Sequence, residues 1–563
     1  MEVVKWNDQR EKIFLDRYAL KDEEGTPIES TPEEMWRRTA DAVGENKVER
    51  NGFYDLLKDF KFVPSGRILT GGKTLYNCFV LGMKEDSREA IMATVTKLID
   101  VTAKGGGVGI NWSILRPRGA YIAGVKSHSS GSVSWMKGAD AMTDSIRQGG
   151  TRTAALMFIL DVWHPDVIEL TRAGNLFSRA NFSINVSDEF MTAVDRGESW
   201  NLVFPDTTCK EYANWDGDII EWKRKCLPIK VHKTVDARKF WKAMTESAHM
   251  VGSPGVAFLD RCNEWSNTWY LDRLVSYNPC GEQALPINGS CNLGSINLTA
   301  LYDEKFGIDR EDLKQCIWEA VRFMDRVIDV SEDIDQEIGD MQRHTRRIGL
   351  GTMGLADVLI LEKIRYGSKE SIAFIDDLYS FIRDTAYEAS IFLAREKGPA
   401  PAFDKRYAPT GKFICTLEEP VQEGISKYGL RNMAILTQPP TGTTCILAGA
   451  SSGIEPLFSK DFVRKDATGT SRMTHPLFVD GEEDYLVTAA DVPVIEHIRV
   501  QAAIQRYVDS SISKTINMPA NCTPEDISTA YKLAYEAECK GITVYRATSL
   551  DDVLSNYCES CNT

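Results

Sequence analysis

Residues 276–298 read Ser276-Tyr277-Asn278-Pro279-Cys280-Gly281-Glu282-Gln283-Ala284-Leu285-Pro286-Ile287-Asn288-Gly289-Ser290-Cys291-Asn292-Leu293-Gly294-Ser295-Ile296-Asn297-Leu298. Asn278, Cys280 and Glu282 stand two apart, and in extended backbone residues at that spacing project to one side. Pro279 lacks a backbone donor and Gly281 tolerates unusual dihedrals, so the segment reads as a loop or strand end rather than a helix. The spacing therefore predicts an amide, a thiol and a carboxylate facing one point: a hydrogen-bonding group, a sulfur able to carry charge or an unpaired electron, and a base. Cys291 brings a second thiol to the same region. Each residue also has an ordinary alternative, since a cysteine between proline and glycine can be a small buried hydrophobe and a glutamate can be solvated.

The chain has 563 residues, enough for a large core and for three or four domains of about 150 residues, or fewer if one α/β barrel dominates. Its 66 basic and 81 acidic residues give a net charge of −15, which argues against a basic nucleic-acid surface and leaves a local phosphate site open. Met1-Glu-Val-Val-Lys-Trp lacks an apolar signal core, and no run of about 20 apolar residues could span a bilayer, so a cytoplasmic protein without membrane contact is expected. Thirteen cysteines, an odd number without a signal peptide, point to reduced thiols rather than a disulfide framework.

Thr31 as cap and Pro32 at the first helical position start a helix, and residues 1–60 read as a helical entry segment. Cys78 opens an apolar run read as a buried strand. A helix is expected over 88–103, followed by the glycines of Lys104-Gly-Gly-Gly-Val-Gly109, which permit close backbone approach. Arg116 and Arg118 flank Pro117 on a loop. After a helix over 130–147, Gln148-Gly149-Gly150-Thr151-Arg152-Thr153 is a polar break before the strand-like run from Ala154, either a sensor loop or a plain connector. Gly349-Leu-Gly-Thr-Met-Gly354 satisfies the dinucleotide fingerprint, but Met341-Gln-Arg-His-Thr-Arg-Arg347 precedes it where a buried strand should be, so nicotinamide or flavin binding is set aside. An apolar strand from Met433 runs into Pro440-Thr441-Gly442-Thr443-Thr444, whose backbone N–H groups and hydroxyls suit an anion or simply cap a helix. Cys558 and Cys561 form a CxxC pair near the end. Alone it is half a zinc site, so no metal site is expected and a dithiol shuttle is the better reading. A coil of about 12 residues carries such thiols roughly 20 Å.

Several of these segments together resemble the catalytic chain of ribonucleotide reductase: Asn278-Pro-Cys-Gly-Glu282, Ser290-Cys-Asn-Leu-Gly-Ser-Ile-Asn-Leu298, Pro440-Thr-Gly-Thr-Thr444, Ser451-Ser-Gly-Ile-Glu-Pro456 and Ser510-Ser-Ile-Ser-Lys-Thr-Ile-Asn-Met-Pro519, from about residue 60 to 546. Gly541-Ile-Thr-Val-Tyr-Arg546 is more similar to the adenosylcobalamin-dependent class than to the class served by a separate radical-generating metal subunit. That second class uses a stacked tyrosine pair where Tyr545 has Val544 and Arg546 as neighbours.

The resemblance implies a ten-stranded α/β barrel of two five-stranded parallel halves joined antiparallel, with a central finger loop. It divides the chain into a helical segment 1–60, a barrel 61–546 and a flexible redox tail 547–563. It implies that Cys280 carries a thiyl radical, that Glu282 is the base on the 3′-hydroxyl with Asn278 as hydrogen-bonding partner, and that Cys78 and Cys291 deliver reducing equivalents and end as a disulfide. Cys558 and Cys561 would reset them, in turn reduced by thioredoxin or a glutaredoxin-type donor. Ser65, Asn77 and Pro440–Thr444 would hold the ribonucleotide. A nucleotide effector, deoxynucleoside triphosphate or ATP, is expected near Asp86 and Arg116 with Gln148–Thr153 as relay, and a homodimer is expected beside it. Against many relatives, no ATP-binding regulatory domain and no overall activity switch are expected at the N-terminus. A non-radical thiol oxidoreductase or nucleotide-binding regulator would use the cysteines and the phosphate loop but give Asn278 and Glu282 no task.

Overall fold

The computed structural model describes residues 6–145, 155–172, 176–458, 461–466, 469–474, 477 and 483–546. Five strands run parallel in one half: Cys78–Leu81 (β1), Gly107–Asn111 (β2), Leu156–Asp161 (β3), Ala180–Asn185 (β4) and Gly255–Ala257 (β5). In the other half Gly289–Asn297 (β6) lies parallel to Ile348–Met353 (β7), and Thr515–Met518 (β8) lies parallel to Gly541–Arg546 (β9). The place between β7 and β8 is taken by residues 434–438, joined by the parallel bridges Leu350↔Leu436 and Gln438↔Ile512. Its backbone bonds include Leu350 N to Ile435 O at 2.8 Å and Ser513 N to Gln438 O at 2.9 Å. The halves meet antiparallel at both seams, β1 against β6 and β5 against β9. Ten extended segments thereby join in a ring that those two bridges close, the architecture that the family resemblance implies. Phe62–Pro64 is an extra antiparallel strand on β6, beyond its pairing with β1.

Parallel strands covered on both faces read as near-continuous apolar runs, and all six residues of β3, Leu156-Met-Phe-Ile-Leu-Asp161, are buried. The helices expected over 88–103 and 130–147 form at Arg88–Ala103 and Ser132–Asp144, and two long helices follow at Arg310–Val330 and Lys369–Lys397. Near the N-terminus, helices Asp8–Ile13, Pro32–Val43 and Lys47–Leu57 precede the extra strand. The second of these starts with a capping box, Thr31 against Glu34. Phe53 of the third meets Phe323 edge-on at 5.1 Å, which docks this segment on the barrel's outer helices. No helix among the described residues is long and apolar enough to cross a membrane.

The stretch 276–285 is a short hairpin, Ser276–Tyr277 against Ala284–Leu285, and it crosses the inside of the ring. On one side it presses on β2: a Cβ at Gly109 would lie 1.6 Å from the Tyr277 carbonyl oxygen. On the other, Thr437 Oγ1 donates to the Glu282 carbonyl at 2.7 Å and Ser511 N donates to the same oxygen at 3.0 Å.

The fingerprint glycines also line this interior. A Cβ at Gly349 would lie 2.6 Å from Leu293 Cδ2 and 3.0 Å from both Cys291 Sγ and Gln283 Nε2. The motif is itself a barrel strand, β7, and not a phosphate turn. The two arginines that hide this strand from a hydropathy reading are buried by pairing, Arg346 with Asp325 at 2.7 Å and Arg347 with Asp272 at 3.1 Å.

Candidate active site

The hairpin tip is built by a turn, not by alternation along a strand. Gly281 N donates to Asn278 O at 3.1 Å and Asn278 N to Gln283 O at 3.0 Å, with Pro279 in the turn and Gly281 at φ +79°, a conformation that suits glycine. The extended-backbone expectation for 278–282 is thus corrected. Asn278 and Glu282 converge because they face each other across a closed turn, and Cys280 sits at its apex. Asn278 and Glu282 are fully buried, while Cys280 is partly exposed.

Cys78 stands between the two. Asn278 Nδ2 donates to Cys78 Sγ at 3.0 Å and Cys78 Sγ donates to Glu282 Oε1 at 3.4 Å. Asn278 Oδ1 is fixed by Gln283 N at 2.9 Å. Cys291 is the register partner of Cys78 across the β1/β6 seam, and directly opposed antiparallel residues have Cα atoms about 4.5–5.5 Å apart, within the span of a disulfide. Both stand as free thiols and pack with Leu293.

Burial pushes the Glu282 carboxyl above the ordinary carboxylate range, and hydrogen bonds from Asn278 and Cys78 pull it part of the way back. Burial, followed by the Glu282 charge, pushes both the Cys78 and Cys291 thiols well up, so each is a neutral S–H at physiological pH. Glu282 Oε2, Ser65 Oγ and Asn77 Oδ1 are buried without a hydrogen-bond partner, and a buried polar atom in that state is costly unless a ligand satisfies it.

These residues line one cavity, an open space of about 880 Å³ that also takes in Cys280 and Pro440, Thr441, Thr443 and Thr444. Gly442 starts the helix Gly442–Ala448. Thr441 is held by its own neighbours, its Oγ1 bonding Ser452 Oγ at 3.1 Å and accepting from Gly453 N at 3.0 Å. On the other side of the hairpin lies a larger cleft of about 1920 Å³, and Pro279 and Cys280 line both spaces.

The residues expected near an effector sit elsewhere. Arg116 Nε meets Asp86 Oδ2 at 2.5 Å, and Tyr212 donates to the same oxygen. Gln148, Gly149, Gly150, Thr151 and Arg152, and the tail cysteines Cys558 and Cys561, lie outside the described residues. Sequence reasoning missed Tyr18, which reaches the cavity from the N-terminal segment, and gave no role to Gln283, Thr437 and Ser511, which hold the hairpin through the Gln283 and Ser511 backbone and the Thr437 hydroxyl.

Residues 76–545 match the family model for the ribonucleotide reductase barrel domain, and residues 7–76 match that for the ribonucleotide reductase all-alpha domain. The chain is 34% identical to a vitamin B12-dependent ribonucleoside-diphosphate reductase of Thermoplasma acidophilum, over 97% of this chain and 71% of that protein. It is 33% identical to a protein of the same name from Mycobacterium tuberculosis, over 97% and 78%. A ribonucleoside-diphosphate reductase subunit alpha of Chlamydia pneumoniae is 29% identical over 81% of this chain and 48% of its own length. With both family domains matched in order along a closed barrel whose central hairpin carries the cysteine, the chain belongs to the ribonucleotide reductase family.

Proposed function

We propose that this chain converts ribonucleotides to 2′-deoxyribonucleotides, and so supplies DNA precursors, through a radical on Cys280. The observation that carries the reading is the contact of Cys78 with both Asn278 and Glu282, opposite Cys291 in register, in one cavity with Cys280. As a thiyl, Cys280 takes the ribose 3′ hydrogen. Glu282 accepts the 3′-hydroxyl proton, which a raised carboxyl does well within hydrogen-bond reach, while Asn278 holds its partner in place. The 2′-hydroxyl leaves as water with a proton from Cys78. Cys78 and Cys291 give up two hydrogens in all and close as a disulfide, and Cys280 returns its hydrogen to C3′. Ser65, Asn77 and the Pro440–Thr444 loop bind the nucleotide. Cys558 and Cys561 reopen the disulfide by thiol exchange and are reset by a thioredoxin or glutaredoxin-type donor.

The cleft beyond Cys280 suits adenosylcobalamin, which when bound supplies a weak cobalt–carbon bond as a source of an organic radical. Its lining sets apolar Met157, Phe182 and Val251 beside the hydroxyls of Ser513 and Thr543. A nucleotide effector near Asp86 and Arg116 and a homodimer through helices Arg88–Ala103 and Ser132–Asp144 complete the proposal. Met92 and Met142 on those helices are 43% and 45% exposed.

Purified protein with adenosylcobalamin, a dithiol and a ribonucleotide is expected to form deoxynucleotide, and Cys280→Ser to form none. Activity that requires a second, metal-bearing subunit would overturn the cofactor assignment. Unchanged turnover by Cys280→Ser would overturn the mechanism.

A further inference from the structure

The N-terminal helical segment reaches the substrate cavity through one side chain. Helix Asp8–Ile13 passes into a π-turn, Phe14–Tyr18, closed by Ala19 N to Phe14 O at 2.9 Å. Such wide turns are rare and often lie at functional sites. Here the turn delivers Tyr18, only 4% exposed, to the cavity wall. Its ring lies on Gly66, where a Cβ would come within 3.4 Å of Cε1, and its hydroxyl is 2.5 Å from Thr443 Oγ1. The segment is pinned on both sides of that contact. Arg10 Nε donates to Leu447 O at 2.9 Å, at the far end of the helix that Gly442 begins. Arg38 bonds Leu69 O at 2.9 Å and Glu29 at 2.6 Å, below the turn.

Among the described residues, the cavity lining contains no lysine or arginine. What that lining offers a phosphate is backbone N–H groups and neutral hydroxyls, so each hydroxyl counts. Ser65 Oγ is a buried orphan in the same wall. Tyr18 bridges the Ser65–Gly66 side to the Thr443 side and so stands across the end of the phosphate loop.

We propose that Tyr18 is a positioning residue for the outer phosphate of a nucleoside diphosphate, and that its ring limits how many phosphates the cavity accepts. This rests on the reading of Pro440–Thr444 as the substrate-phosphate loop. Thr443 donates to the phenolic oxygen while the phenol hydrogen turns to the phosphate, a charge-assisted bond stronger than the neutral pair it joins.

The test is binding of CMP, CDP and CTP to the full chain by equilibrium dialysis, with steady-state kinetics alongside. Tyr18→Phe is expected to weaken CDP roughly tenfold or more, the cost of one hydrogen bond to a charged group, to leave CMP as tight as in the parent, and to act mainly on KM. Thr443→Val should have a similar effect, with the double variant less than additive because the two hydroxyls act as a unit. Tyr18→Ala should raise the CTP-to-CDP affinity ratio. CDP binding to Tyr18→Phe equal to the parent's would overturn the inference, and so would equal losses for CMP and CDP. If Tyr18→Ala does not fold, the isosteric Tyr18→Phe decides alone. A parent protein that binds CDP with this pattern but forms no deoxynucleotide would refute the reductase reading and leave the role of Tyr18 standing. A parent that binds none of the three would refute the role of Tyr18.

Discussion

Glu282 is buried with one carboxylate oxygen orphaned, and its behaviour with pH is the sharpest consequence at the scale of single residues. Because burial raises its pKa in the folded chain, kcat/KM should fall on acidification at a pH above the ordinary carboxylate range, and Glu282→Gln should be inactive. Stability moves in the opposite sense. Below the unfolded pKa the carboxyl is neutral in both states and costs nothing. As pH rises through the folded pKa the native state must carry a buried charge, so stability is lost. Glu282→Gln should therefore match the parent in melting temperature at low pH and exceed it increasingly toward neutral pH, levelling above the folded pKa. Melting temperatures with the same offset at every pH would contradict this. For the thiols, Cys78→Ser and Cys291→Ser should each abolish multiple turnover. Cys558→Ser should keep dithiothreitol-driven activity and lose the thioredoxin-driven kind, which parallel assays with the two reductants would distinguish.

The hairpin 276–285 is the element on which the site depends, and its position is set by missing side chains as much as by hydrogen bonds. Gly109→Ala would drive a methyl into the Tyr277 carbonyl. It should cost about 1–3 kcal/mol of stability as overpacking, and lower kcat roughly 10²-fold as the tip shifts by about an ångström. Denaturant melts and kinetics of that variant check both, and parent-like values in both would contradict the packing. The same hairpin marks how far the sequence could be read. Asn278, Cys280 and Glu282 were legible as a group, since Pro279 and Gly281 exclude a helix. The cause of their convergence was not, because a closed turn and a strand give the same grouping at that spacing. Helices such as Arg88–Ala103 announced themselves by caps and periodicity. Strand β7 did not, because two glycines and a preceding arginine pair look like a loop until Asp325 and Asp272 neutralise the charges. Tyr18 was illegible for a related reason, since it acts across more than 400 residues of sequence and belongs to no motif.

At the largest scale the described barrel strands form a ring closed through two isolated bridges, and the cavity and the larger cleft on either side of the hairpin meet at Cys280. The closed ring could be anticipated only through the family resemblance, because residues 434–438 bridge their neighbours too briefly to show as a strand in the sequence. Outside the ring, the proposed pairing of two copies would use the face that carries the exposed Met92 and Met142 on adjacent helices. Met142→Lys is expected to shift the sedimenting species from dimer to monomer, and an unchanged dimer would place the interface elsewhere. The central claim is that the Cys280 sulfur removes hydrogen from the ribose. It is tested most directly by comparing ribonucleotide carrying deuterium at C3′ with the unlabelled substrate under single-turnover conditions. A slower reaction with the deuterated sugar, together with no reaction at all in Cys280→Ser, is the predicted result. Deoxynucleotide formation by Cys280→Ser at the parent's rate would contradict the account.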